Sequence, residues 1–388
     1  MTAQERYVSG IEAMMRSFYS QYVNDDIVIF GTGSYGKMVC SFFSKIGMKK
    51  NVVAFCDNNQ SAWGQHIGDV LVESVDTVSE KYPNAIYLIA SGFYKDIVVG
   101  LQGRNLRIVY TRGLLRFLEG QLAFVTAKRP DDEVVYAWKW MKWYEELNQT
   151  GKLQTYIAEV QELLGDERSR EVLSTKMQFF LTGDVSCIEK IPCDIPAYSN
   201  AEYLPFDDSE VFFDCGAYIG DSVEDFVRFT KGKYKKILSF EPDEVNYNKL
   251  CSLIECNGYH DVAAIKAATG SHNGMVSFSN NGTGGAKIVN EAEAEVELVK
   301  LDNYIDEYPT FVKMDLEGAE LDSLKGMERI LREQKPKLAI CVYHKWLDFY
   351  EIPMYLHQIV PEYRFKLRHH EQDTLYDTVL YAWVDSQE

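Results

Sequence analysis

A chain of 388 residues with 46% hydrophobic content is long enough, and apolar enough, to fill two cores. Its formal net charge of −18 repels phosphate backbones and anionic lipid, which excludes general nucleic-acid or membrane-surface binding. Eight cysteines without a C-x-x-C pair, no signal-like start and no run of membrane-spanning length lead to the expectation of a reduced, soluble, cytoplasmic protein.

Residues 1–22 carry Ile11, Met14, Met15 and Phe18 at helical spacing. An apolar strand at 27–30 runs into Gly31-Thr32-Gly33-Ser34-Tyr35-Gly36 and a helix over 37–46, and a strand at 52–55 ends at Cys56-Asp57. Further strands at 85–90 and 106–110 complete a first, Rossmann-like domain over residues 1–112, with strands and helices alternating as in a parallel sheet. Residues 113–200 read as a helical linker region. Its aromatic stripe (Tyr136, Trp138, Trp140, Trp143, Tyr144) suits core packing or the seam of a homo-oligomer, or a platform for stacking glycans.

The remaining domain, 201–388, alternates again. Strands are expected at 211–214, 237–240, 263–267, 311–314 and 338–342, with helices at 222–230, 244–256 and 321–334. A hairpin of 275–279 and 296–301 flanks the Gly-rich loop 280–285, a candidate lid, and an antiparallel pair at 363–367 and 379–383 closes the chain. The fold class is therefore α/β: two Rossmann-like domains joined by a helical segment, the second a seven-stranded sheet of the class I methyltransferase type with an inserted β-hairpin.

The chemistry concentrates at the strand tips of this second domain. Asp214-Cys215-Gly216-Ala217-Tyr218-Ile219-Gly220 forms the first βα turn, where Asp214, Gly216, Ala217 and Tyr218 are expected under the ligand and Gly220 permits close backbone approach. Glu241, followed by Pro242, ends the next strand and is placed to take the two hydroxyls of a ribose; Ala268 is expected beside an adenine. Asp315 and Glu317 crowd another tip, and His344 ends the strand beyond it. These cues point to S-adenosylmethionine and methyl transfer, with His344 first and Asp315 second as base or acceptor-orienting group, and Glu317 beside them. Asp315 and Glu317 could share Mg²⁺, but no third ligand is specified, so a metal-free site is expected.

The stretches Val211-Phe212-Phe213-Asp214-Cys215-Gly216-Ala217-Tyr218-Ile219-Gly220, Phe240-Glu241-Pro242-Asp243, Lys313-Met314-Asp315-Leu316-Glu317-Gly318-Ala319-Glu320 and Tyr343-His344-Lys345 resemble the FkbM-type methyltransferase family over roughly residues 203–383. The resemblance implies S-adenosylmethionine as donor and a hydroxyl on a sugar, glycan precursor or related natural product as acceptor. The family pattern commonly has Asn where this chain has Tyr218.

In the first domain Gly31, Gly33 and Gly36 follow a strand and open a helix, and Asp57 stands at the next strand tip. Such glycines let a pyrophosphate approach the helix N-terminus, and the acid can hold a ribose. The Cys56-Asp57-Asn58-Asn59 and Trp63-Gly64 segments resemble nucleotide-sugar-binding domains, which makes a nucleotide or nucleotide-sugar the expected ligand; packing alone is the alternative. Two other functions stay open at this point: an NAD(P)- or nucleotide-sugar-dependent oxidoreductase or epimerase, and a non-catalytic ligand-binding protein.

Overall fold

The computed structural model describes residues 20–90, 106–110, 146–182, 206–278, 294–371 and 377–385 apart from 46 and 346, with short pieces between 97 and 104, at 144 and between 184 and 204. Nearly all of the expected helix at 1–22, most of the aromatic stripe and the loop at 280–285 lie outside these residues. Packing divides the chain into two compact units, residues 1–149 with 177–189, and residues 150–176 with 190–388. Residues 150–176 and 190–200, read from sequence as linker, thus pack with the second unit.

The strands of the first unit are β1 (Ile27–Phe30), β2 (Val52–Cys56), β3 (His66–Ile67), β4 (Val70–Glu73), β5 (Ile86–Ile89) and β6 (Arg107–Tyr110), in sheet order β3-β4-β2-β1-β5-β6. Every pairing is parallel except β3 with β4. All of β1 and β5 is buried, which is why both read as unbroken apolar runs rather than alternating ones. The β3–β4 corner escaped the sequence reading because strands of two and four residues carry too little period to register.

The second unit contains β7 (Val211–Cys215), β8 (Lys236–Phe240), β9 (Val262–Ile265), β10 (Ala268–Thr269), β11 (Gly274–Phe278), β12 (Ala294–Val299), β13 (Phe311–Met314), β14 (Lys337–Cys341), β15 (Arg364–His369) and β16 (Thr378–Trp383). Seven of them form one sheet, ordered β15-β16-β14-β13-β7-β8-β9. Its β7, β8, β9, β13 and β14 pair in parallel, and β16 joins β14 antiparallel. The antiparallel hairpin β11–β12 makes a separate three-stranded sheet with β10.

Two helices differ from expectation. The helix expected over 321–334 is two pieces, Glu320–Lys325 and Glu328–Gln334. The break falls at Gly326, where a Cβ would stand 1.9 Å from the Gly270 carbonyl oxygen, so the backbones touch there. The helix Asp348–Ile359 was not anticipated; Pro353 in its interior disguises it. No helix among the described residues is long and apolar enough to cross a membrane.

Candidate active site

The centre of the seven-stranded sheet places three polar side chains side by side in an otherwise apolar layer. Register sets Asp214 of β7 opposite Ser239 of β8 on one side and Lys313 of β13 on the other. The Asp214 carboxylate is fully buried, accepts the Ser222 hydroxyl at 2.6 Å through Oδ2, and lies 3.2 Å from Lys313 Nζ through Oδ1. Asp214 is therefore committed beneath the turn rather than at its surface. Lys313 also donates to the Gly216 carbonyl at 2.8 Å. Burial alone would lower the Lys313 ammonium, but the carboxylates of Asp214, Asp315 and Asp221 outweigh it and push it above the ordinary lysine range.

The turn above is set by contact. Gly216 has φ +80°, and a Cβ on it would meet the Asp315 carbonyl oxygen at 1.9 Å. The Gly216 and Ala217 N–H groups both donate to the Phe240 carbonyl, and Ala217, fully buried, accepts the Gly220 N–H through its own carbonyl, so its part is to shape the turn. Tyr218 has φ +49°, a conformation that asparagine tolerates better, which accounts for the asparagine usual in the family. Gly220, expected to admit a ligand, makes room for a helix instead: its Cβ would fall 2.5 Å from Leu253 Cδ2 and 3.0 Å from Leu250 Cδ1. The Gly216→Ala variant should lose about 1–3 kcal/mol or more in chemical denaturation; an unchanged midpoint would show that the turn moves freely.

Glu241 follows β8 at the neighbouring tip. Its Oε2 accepts the Tyr218 N–H at 2.8 Å and its Oε1 the Asp243 N–H at 2.9 Å. Burial pushes its carboxyl up to about 7, against the lowering effect of those two N–H groups. Each oxygen keeps a lone pair beyond its single backbone bond. Pro242 is half-buried next to it, and Asp243 caps the helix Glu244–Asn257. Ala268 lies beyond the end of β9, buried in β10 of the smaller sheet.

The tips of β13 and β14 hold the charged corner. Asp315 Oδ2 accepts the Tyr198 hydroxyl at 3.1 Å, and Oδ1 lies 3.4 Å from both the Tyr343 hydroxyl and His344 Nε2. Glu317 Oε2 is 3.7 Å from the same His344 Nε2. The turn that carries Glu317 there is strained, with φ +52° at Glu317 and +100° at Gly318. On the ring's other side, Glu320 Oε1 meets Nδ1 at 2.7 Å and accepts the Leu316 N–H at 2.8 Å. Burial by itself would lower His344, but Glu320 above all, then Asp315 and Glu317, push it up to about 10. At neutral pH the ring holds its proton and is suited to orienting rather than accepting, the second of the two roles expected of it.

Sequence reasoning thus brought Asp315, Glu317 and His344 to one corner, and Gly216, Tyr218 and Glu241 to the adjoining turn. It missed Tyr198, Tyr343, Lys313 and Glu320 as site residues. A lysine inside the buried run Phe311-Val312-Lys313-Met314 was the available signal for one of them.

In the first unit, Asp57 ties its own loop to the glycine loop: Oδ2 accepts the Thr32 N–H at 2.8 Å and hydroxyl at 2.6 Å, and Oδ1 accepts the Asn59 N–H at 2.9 Å. Gly31 donates its N–H to the Cys56 carbonyl. A Cβ at Gly36 would stand 1.9 Å from the Gly31 carbonyl oxygen, whereas Gly33 has nothing within 4 Å of its place. The structure thus gives Gly36 a packing role and Asp57 a role in joining the two loops.

No curated protein sequence matches the chain. Its structure is similar to the crystal structure of Methyltransferase FkbM from Methylobacillus flagellatus KT, with a TM-score of 0.58 and 22% identity, covering 98% of this chain and 99% of that one. It also overlaps an rRNA methylase from Streptococcus thermophilus (TM-score 0.32, 19% identity, 48% of this chain and 92% of that one). A third overlap is with a SAM dependent methyltransferase from Aquifex aeolicus (TM-score 0.28, 17% identity, 52% and 99%). The first likeness shows the fold; the other two are too loose to carry an argument. Residues 214–367, which hold both the Glu241 turn and the Asp315–His344 corner, match the family model of the Methyltransferase FkbM domain, and this stretch of the second unit is accordingly a methyltransferase domain of the FkbM type.

Proposed function

We propose that the chain transfers a methyl group from S-adenosylmethionine to a hydroxyl of a sugar, glycan precursor or related natural product. The observation that carries this reading is the adjacency of two differently equipped strand tips. The Gly216 turn, with Glu241 beside it, rests directly on the Asp315 backbone. Glu241 fits a ribose diol, because two backbone N–H groups fix its carboxylate and leave each oxygen one lone pair for a hydroxyl. S-adenosylmethionine supplies an activated methyl on a sulfonium, so the protein's share is alignment, exclusion of water and reception of a proton.

Asp315 is the group for that last task. The hydroxyls of Tyr198 and Tyr343 hold its carboxylate, with His344 Nε2 3.4 Å away, and it is still 28% exposed. It can accept the acceptor hydroxyl's hydrogen bond and take its proton as the new oxygen–carbon bond forms. The test is transfer of a labelled donor methyl to a panel of sugars and nucleotide-sugars, followed by mass spectrometry. Labelled ether products are expected, with turnover reduced roughly 10²-fold or more in Asp315→Asn. Label found on amines alone would replace the hydroxyl acceptor, and undiminished turnover in Asp315→Asn would remove Asp315 from the proton path.

A further inference from the structure

The corner of β13 and β14 has a feature that methyl transfer alone does not use. His344 Nε2 and Glu320 Oε2 are buried and have no hydrogen-bond partner among the described residues. The His344 side chain is 7% exposed and that of Glu320 is 0% exposed. The unpartnered ring nitrogen faces the carboxylates of Asp315 and Glu317, so groups able to ligate a cation converge at one point.

We propose that His344 Nε2, Asp315 Oδ1 and Glu317 Oε2 bind a divalent transition-metal cation, whose remaining coordination positions take oxygen atoms of the methyl acceptor. The spacing is the first argument. Nε2 stands 3.4 Å from Asp315 Oδ1 and 3.7 Å from Glu317 Oε2. Two ligands on one tetrahedral ion with bonds of ~2.0–2.2 Å stand roughly 3.3–3.6 Å apart. Both carboxylate oxygens therefore stand near the separation from Nε2 that a shared ion imposes.

The second argument is the ring's support. Glu320 holds Nδ1 at 2.7 Å and is itself fixed by the Leu316 N–H, so it belongs to the orienting layer and not to the ion. A buried carboxylate on one imidazole nitrogen, with the other nitrogen aimed at two carboxylates, is how proteins set a metal-binding histidine's orientation and raise its basicity. The presence of an imidazole nitrogen favours a transition ion such as Mn²⁺ or Zn²⁺ over Ca²⁺ or Mg²⁺, which prefer all-oxygen sets. A proton and a cation are rival occupants of Nε2. Asp315 would bind through Oδ1 and keep Oδ2 for Tyr198 and the acceptor's proton. Exposures of 28% at Asp315 and 32% at Glu317 leave the ion a route in.

The chemical use of this ion rests on the methyl-transfer reading, but its binding does not, and the test separates the two. Metal-stripped full-length protein, without donor or acceptor, is titrated with Mn²⁺ while the free ion is followed by electron paramagnetic resonance, and with Zn²⁺ by calorimetry. One ion per chain is expected, with affinity at least ~10-fold weaker in both Glu317→Gln and His344→Gln. Glu317 is partly exposed, so its variant guards against a fold defect at buried His344. No stoichiometric binding by the wild type, or equal binding by both variants, overturns the proposal. S-adenosylhomocysteine titrated separately tests the donor site: silence there with the metal count intact removes the methyl-transfer reading and leaves the metal site standing.

Discussion

Replacing Lys313 by methionine is expected to cost about 3–5 kcal/mol of folding stability, the penalty of breaking a buried ion pair by removing one partner. Lys313 is 3% exposed and Asp214 is fully buried, so water cannot take the ammonium's place. The Asp214 carboxylate would keep the Ser222 hydroxyl, and Ser239, its neighbour in register, has no partner for its hydroxyl among the described residues. The Gly216 carbonyl would lose its ammonium too, loosening the turn on which Glu241 depends. Pairing the change with Asp214→Asn removes the stranded charge and should recover roughly 1–3 kcal/mol as a coupling energy. Chemical denaturation of the two single variants and the double variant measures this directly. A loss under ~1 kcal/mol in Lys313→Met, or strict additivity in the double variant, would show that the pair is not what holds the sheet's centre together.

The strand tips around Asp214 show what was legible in the sequence. Apolar runs ending in an acid fixed β7 and β8 to within a residue, because buried parallel strands leave an unbroken signature and their tips carry the first polar group. Glu241 could be found for that reason. Asp214 has the same sequence setting but points into the sheet, and nothing in the order of residues separates a carboxylate at the surface of a turn from one beneath it. Gly220 likewise could not reveal whether a ligand or a helix approaches it. Tyr198 was out of reach altogether: it meets Asp315 from 117 positions away. Glu320 was visible only as one more acid in a charged run, and its bond to His344 depends on how β14 lies beside β13.

Glu241→Ala is expected to abolish measurable donor binding. A hydrogen bond to a charged group contributes about 1.5–3 kcal/mol, so losing two ribose hydroxyl contacts weakens affinity roughly 10²- to 10⁴-fold. The variant also strands the Tyr218 and Asp243 N–H groups, so Glu241→Gln, which keeps one carbonyl acceptor, is the companion measurement. A pH series distinguishes a charged acceptor from a merely polar one. The wild-type carboxyl, raised by burial to about 7, is protonated on the acid side of that value and ionised above it. A diol donates best to the ionised form, so affinity for S-adenosylhomocysteine should weaken as pH falls from 8 to 6, approaching tenfold per pH unit below the pKa. Glu241→Gln should show a flat profile at lower affinity. Stability runs the other way. A carboxyl whose pKa is higher folded than unfolded costs nothing below pH ~4.5, and the cost grows to roughly 3 kcal/mol by pH ~7. Ligand-free Glu241→Gln should therefore gain on the wild type over that window even as it loses the donor. Wild-type affinity in Glu241→Ala, or the same pH slope in Glu241→Gln as in the wild type, would mean that the ribose is held elsewhere.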